Sequence, residues 1–274
     1  MKLKEYLPSL LESLRVRRLN RDELVQPVAD PLPVVVSMTS IPARLGILHL
    51  TVRSLLNQTR KPEKIVLWLH RDLRGTLPES LSELEGPVFE TRYVDLECPH
   101  RKLIHSIAAF PDRVVVTCDD DMIYDPTWLE RLYADHRQYP HSIIAHECRR
   151  IARDEAGELL PYRRWPTVRV RGINGKALIP TGYAGVLYPP GALLPEAQNV
   201  ELFMRLAPTA DDLWFKAMSV LNGTEVRRSS APGPKPRLII GSQRVSLMRT
   251  NVREDSNRQQ WQAICDHFGR RIDA

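Results

Sequence analysis

The sequence predicts an α/β protein with a mixed, mainly parallel sheet flanked by helices. Three observations predict it. Short β-branched runs recur at 32–40 (LPVVVSMTS), 64–69 (KIVLWL), 87–94 (PVFETRYV) and 112–119 (DRVVVTCD). Segments with helical apolar spacing fall between them, and strands alternating with helices of this length form βαβ units around a parallel sheet. The chain of 274 residues is 43% hydrophobic and 26% charged, which suits a globular protein with room for one large α/β domain or two small ones.

Residues 1–30 read as an N-terminal helix and linker ahead of Pro31. Leu3, Leu7, Leu10, Leu11 and Leu14 recur at helical spacing beside Arg15, Arg17, Arg18 and Arg21. The plain reading is a helix packed on the domain; the sharper one is a helix lying on an anionic membrane. The first strand, 32–40, is a buried β-branched run with turn residues after it. Helical spacing follows at 43–58, and the second strand at 64–69. A short helix at 77–84 precedes the third strand, and HRKLIHSIAAF (100–110) is helical before the fourth. Pro126 marks the start of a helix over 126–138, and HSIIAHEC (141–148) reads as a further strand. Beyond 150 the pattern loosens into a turn-rich block (GYAGVLYPPG, 182–191), a helix (ADDLWFKAMSVL, 210–221), a proline-rich loop (SSAPGPKP, 229–236) and a strand–turn–strand over 237–251.

Composition narrows the function classes. No apolar run approaches the ~20 residues that span a bilayer, and the N-terminal stretch lacks the apolar core of a signal peptide. Cys98, Cys118, Cys148 and Cys265 form no CxxC pair, which speaks against a zinc site or disulfide framework and for a reducing, cytoplasmic location. The net charge of +6 suits anionic partners. Aromatic residues are only 7%, and no RNA-recognition or zinc-finger signature is present, so nucleic acid is not expected. The absence of GxSxG, a P-loop and GxGxxG argues against serine hydrolase, kinase and dehydrogenase.

One stretch carries the chemistry. VVVTCDDDMIY (114–124) drives a strand into Asp119, Asp120 and Asp121 and then returns to apolar residues. Alternation along a strand cannot bury all three, and one unpaired buried carboxylate costs several kcal/mol. At a strand end their oxygens can converge on a hard divalent cation, Mn²⁺ or Mg²⁺, with places left for phosphate. The alternative is a solvated acidic turn. Ligands of open parallel sheets bind beyond the C-terminal strand ends, which gathers SMTSIPAR (37–44), the loop after 69 and CDDD on one rim. Lys102 and Arg101 on the first turn of the 100–110 helix can reach phosphates there, or face solvent. Gly182 and Gly185 permit close backbone approach. Asp211 and Asp212 open a helix, where negative charge is favoured in any case.

The order strand–SxTSxPxR, a helix ending LLNQT, KPxKIxLWL, HRKL and then VVVTCDDDMIY–PxWL resembles the nucleotide-sugar-dependent glycosyltransferases of the A-type, Rossmann-like fold. More narrowly it resembles bacterial proteins of surface-polysaccharide synthesis, over 33–260. The resemblance implies a nucleotide-sugar-binding part over 31–150 and an acceptor-binding, catalytic part of the same domain over 151–274. It implies a divalent metal on Asp121 and Asp119, with Asp119 also toward the donor ribose and Asp120 facing either way. Thr39 and Ser40 are expected on the nucleotide, Arg44 and Lys102 on phosphates, and Gly182 and Gly185 near sugar and acceptor. A carboxylate, Asp212 in preference to Asp211, is expected as general base of an inverting transfer. The partners implied are a nucleotide-sugar donor, UDP-linked by preference, and a carbohydrate or lipid-linked acceptor, with peripheral contact at the cytoplasmic face of the inner membrane. Two alternatives stand beside this reading. A nucleotidyl- or phosphotransferase also uses metal and carboxylates, although the glycine-rich phosphate loop common in that class is missing. A basic glycan-binding module would need neither metal nor nucleotide.

Overall fold

The structure is a computed structural model that describes residues 3–242, 251–252 and 254–272. Helices α1 (Leu3–Arg17) and α2 (Arg21–Val25) precede strand β1 (Leu32–Thr39). There follow α3 (Leu45–Leu56), β2 (Pro62–His70), α4 (Glu79–Ser82), β3 (Phe89–Val94), α5 (Arg101–Ala109) and β4 (Val114–Thr117). After the aspartates come β5 (Met122–Ile123), α6 (Trp128–Gln138), β6 (Ile143–Ala145), β7 (Cys148–Arg150), β8 (Leu178–Pro180) and β9 (Val186–Tyr188). The chain continues through α7 (Val200–Leu206), α8 (Asp211–Leu221), β10 (Val226–Arg228), β11 (Arg237–Leu238) and α9 (Ser256–Phe268).

Seven strands form the central sheet in the order β10-β6-β9-β4-β1-β2-β3. Every neighbouring pair is parallel except the two made by β9, which runs antiparallel between β4 and β6. The expected mixed, mainly parallel sheet is therefore present. Its strands read as apolar runs because they are covered on both faces: β4 is buried throughout, and Val34, Val36 and Val116 are wholly inaccessible. The lone reversed strand places the site. Val186 pairs with Thr117, so the residues just before β9 lie beside those just after β4. The helices α5 and α8 lead into β4 and β10, which run in the same sense. Their N-termini consequently arrive at that same rim.

Three sequence expectations need correction. The strand expected over 141–148 divides: Ile143–Ala145 joins the main sheet, while Cys148–Arg150 pairs with β8 in a separate two-stranded ribbon. The chain bends between them at Glu147, whose carbonyl accepts from both the backbone N–H and the Oγ1 hydroxyl of Thr181. The 237–251 segment contributes a two-residue strand that pairs antiparallel with β5; the part holding Arg244 and Arg249 lies outside the described residues. Four of the α1 leucines are not buried against the domain. Leu7 and Leu11 are 61% and 58% exposed, Leu10 and Leu14 are exposed as well, and the helix is held instead through Val16, clustered with Leu50, Ile123 and Ile239. Among the described residues no helix is long and apolar enough to cross a membrane.

Candidate functional site

The rim is assembled by hydrogen bonds that fix the aspartates from behind. Asp120 is buried; one oxygen accepts from Ser40 Oγ at 2.5 Å and the other from Arg44 Nη1 at 2.5 Å. Its backbone carbonyl accepts from Thr51 Oγ1 at 3.0 Å. Of the open orientations for Asp120, the inward one is adopted, and the residue ties the β1–α3 loop to the end of β4. Arg44 reaches on to Asp121 at 3.3 Å. Thr39 and Ser40 stand on this rim too, each with an internal partner: Thr39 donates to the Trp68 carbonyl at 2.9 Å. Arg101 is buried and donates to Thr39 Oγ1 and to the carbonyls of Ser40 and Leu96. Its guanidinium thus braces the loop, and the expectation that Arg101 reaches a phosphate is corrected.

Lys102 occupies the centre. It is buried, against the solvent-facing alternative, with Nζ 3.0 Å from Asp119 Oδ1. Nζ also lies 3.1 Å from Asp211 Oδ2, at ion-pair distance but outside hydrogen-bond alignment. Burial alone lowers a lysine's pKa; Asp119, Asp211 and Asp212 outweigh it and hold this ammonium well above its usual value. Asp119 is partly open, its side chain 34% exposed. Tyr124 receives its backbone N–H at 2.9 Å, and the same hydroxyl lies 3.0 Å from the Tyr183 carbonyl, joining the aspartate turn to the segment before β9.

That segment needs its glycines. A Cβ on Gly182 would lie 2.9 Å from Asp212 Oδ1, and Gly182 N–H donates to Asp212 Oδ2 at 2.9 Å. Gly185 has φ of 104° and sits where a Cβ would meet the Trp128 ring at 2.5 Å. Both therefore position backbone against the site. His100, just before α5, makes no side-chain capping hydrogen bond. Its ring stacks on Phe203 at 4.2 Å, and burial pushes its pKa down to about 4.

Four of the five aspartates pair with two cations: Asp120 and Asp121 with Arg44, Asp119 and Asp211 with Lys102. The excess of negative charge shows in the carboxyl groups. Burial, and then Asp119, pushes Asp121 up to about 7 against the pull of Arg44. Burial, and then Asp211, pushes Asp212 up to about 7 against Lys102. Burial acts upward on Asp211 as well, but Lys102 and then His100 bring it below its ordinary value. Among the described residues no three His, Cys, Asp or Glu side chains converge to hold a metal ion. Magnesium-type ions commonly bind through one or two carboxylates and complete their shell with phosphate and water. Asp119 and Asp121 offer hard oxygen donors of that kind and carry charge in need of a cation, so the chemistry of the set fits such an ion together with a phosphate ligand.

Sequence reasoning missed Tyr124 and the bracing role of Arg101. Neither has a local signal, because their partners are distant in the chain. A broad depression of about 720 Å³ lies along Arg153–Ala156, Leu160 and Arg164 and contains none of these groups.

No protein-family model matches the sequence. No curated protein matches it either. Among solved structures the chain is similar to the 4-diphosphocytidyl-2C-methyl-D-erythritol synthase of Anaerococcus prevotii, at 10% identity and a TM-score of 0.49, over 77% of this chain and 92% of that one. At that level the likeness assigns no activity. The expectation of sugar transfer in surface-polysaccharide synthesis is corrected: the comparisons name no glycosyltransferase, and that reading is not taken further.

Proposed function

We propose that this chain is a transferase acting at the phosphates of a nucleotide, a nucleotidyl- or phosphotransferase. The observation that supports it best is the arrangement of Asp119, Asp121, Asp211 and Asp212 around Lys102 and Arg44 at the C-terminal rim of the sheet. Rims of this kind receive nucleotides in open α/β sheets. The missing glycine-rich loop is no obstacle to this reading, because side-chain cations can meet phosphate in place of backbone amides, and Arg44 and Lys102 belong to this aspartate cluster.

The residues divide the work. Asp119 and Asp121 would hold a divalent cation, which as a Lewis acid offsets charge building on phosphate oxygens. Lys102 supplies a fixed positive charge beside Asp119 and keeps its proton throughout. Arg44 holds Asp121 in place and neutralises part of the cluster. Asp212, with a carboxyl near 7, is matched to take the proton from an acceptor hydroxyl as its oxygen attacks phosphorus. Gly182 N–H keeps one Asp212 oxygen engaged and leaves the other for that proton. The exposed leucine face of α1, next to Arg17 and Arg18, supports peripheral contact with an anionic lipid surface as a further part of this reading.

The test is release of pyrophosphate or nucleoside diphosphate from CTP, UTP, ATP and GTP with Mg²⁺, offered with a panel of hydroxylated and phosphorylated acceptors. Turnover with any pair, lost in Asp121→Ala, supports the reading. No binding of any of the four nucleotides, with or without Mg²⁺, would refute it.

A further inference from the structure

A second cavity lies behind the segment that carries Gly182. It has a volume of about 270 Å³ and is lined in part by Arg169, Arg171, Arg228, Lys235, Glu147 and His146. Ala184 also lines it. Gly182 and Ala184 are two residues apart, so their Cα atoms are separated by at most about 7 Å. One end of this single turn therefore meets Asp212, and the other walls the cavity.

The charge of the lining is unbalanced. Lys235 pairs with Glu147 at 2.7 Å, and Tyr183 donates its hydroxyl to the same carboxylate at 2.5 Å. Among the described residues Arg169, Arg171 and Arg228 have no carboxylate partner within ion-pair distance. The guanidinium Nη1 of Arg228 is fixed on the Arg169 carbonyl at 2.9 Å, and its Nε has no partner there. Three uncompensated guanidinium groups on a concave surface select an anion, with forked geometry suited to phosphate or carboxylate.

His146 belongs to the wall of the same cavity. Only 7% exposed, it approaches the Trp128 carbonyl with Nε2 at 2.9 Å. A carbonyl can only accept, so Nε2 carries the proton, and in the neutral ring Nδ1 presents a lone pair. Nδ1 has no partner among the described residues. Burial pushes the pKa of this histidine down to about 4, which keeps the ring neutral. Nδ1 is also closed off from solvent, so the histidine adds an uncharged wall and the arginines alone select the ligand.

We propose that this pocket binds the second substrate, a small molecule carrying an anionic group, phosphate or carboxylate, with the anion on Arg169, Arg171 and Arg228. The proposal rests on the reading of the aspartate rim as the reaction centre.

The experiment is calorimetric titration with glycerol 3-phosphate, glucuronate and glycerol in phosphate-free buffer. The proteins are the wild type, the double variant Arg169→Ala/Arg171→Ala and Asp121→Asn. Both arginines are exposed, so the double variant should keep the wild-type melting temperature. Wild type is expected to bind glycerol 3-phosphate or glucuronate, the better of the two naming the anion, and to bind glycerol at least tenfold more weakly. The double variant should lose tenfold or more for the anion and retain nucleotide binding with Mg²⁺; Asp121→Asn should do the reverse. Equal binding of glycerol and the anions, or anion binding unchanged in the double variant, overturns the proposal. Arginine-dependent anion binding by a protein that binds no nucleotide upholds the pocket and overturns the reaction proposed for the rim. Nucleotide binding without arginine-dependent anion binding does the opposite.

Discussion

Gly182 donates its backbone N–H to Asp212 Oδ2 over 2.9 Å, joining the segment before β9 to the first turn of α8. The two residues are thirty positions apart, and the contact exists only because β9 reverses direction beside β4. Adding one methyl group tests it. Gly182→Ala would bring a Cβ to 2.9 Å from the other Asp212 oxygen, so the carboxylate must move. Overpacking of this kind costs about 1–3 kcal/mol, to be read as a lowered urea midpoint, and turnover should fall further than stability alone explains.

Asp212→Asn separates chemistry from binding. The amide keeps the shape and still accepts from Gly182 N–H, but it takes no proton from a substrate. With a hydroxyl acceptor kcat should fall roughly a hundredfold or more, while nucleotide affinity stays within a few-fold of wild type. Unchanged kcat would remove Asp212 from the reaction.

Lys102→Met tests the central cation. The substitution leaves Asp211 and Asp212 buried without their compensating charge, and breaking a buried pair costs about 3–5 kcal/mol. The sign of the pH dependence follows. Without Lys102 both carboxyls have folded pKa values above their unfolded ones, so the native state binds more protons between those values. Stability of the variant is then greatest at low pH and declines as pH rises toward 7. The deficit against wild type should be smaller at pH 5 than at pH 7.5 in parallel urea titrations; a pH-independent deficit would mean that the lysine acts by packing alone.

Metal binding should release protons. Asp121 has a carboxyl near 7, and a cation binds its deprotonated form. Affinity for Mg²⁺ with nucleotide should rise from pH 6 to pH 8, and calorimetry in buffers of different ionisation heat should count the released proton. Asp121→Asn should flatten both signals.

Gly185→Ala should be the most damaging single methyl. It combines φ of 104° with a 2.5 Å approach to Trp128, whose Nε1 is held by the Ala184 carbonyl at 2.7 Å. Strain and overpacking together imply about 3 kcal/mol or more, visible as a large drop in melting temperature without a specific effect on Mg²⁺ affinity.

The sequence by itself determined the layered α/β architecture. The runs VVVS, KIVLWL and VVVT are β-branched and apolar because both faces of their strands are covered, a property that periodicity reports directly. It also placed Asp119 to Asp121 at a strand end, since three adjacent carboxylates cannot alternate into a core. The tertiary structure alone decided which of them face inward. Asp120 turns to Ser40 and Arg44, from 76 to 80 residues away, and no local pattern encodes a partner at that distance. The fate of the α1 leucines was decided in the same way. Their spacing predicts a helix with an apolar face, but whether that face is covered depends on what the rest of the chain brings near it, and here Val16 makes the contact while Leu7, Leu10, Leu11 and Leu14 stay exposed. Spacing along one element specifies a face; burial and pairing belong to two elements at once, and their meeting is set by the sheet order and the reversed β9.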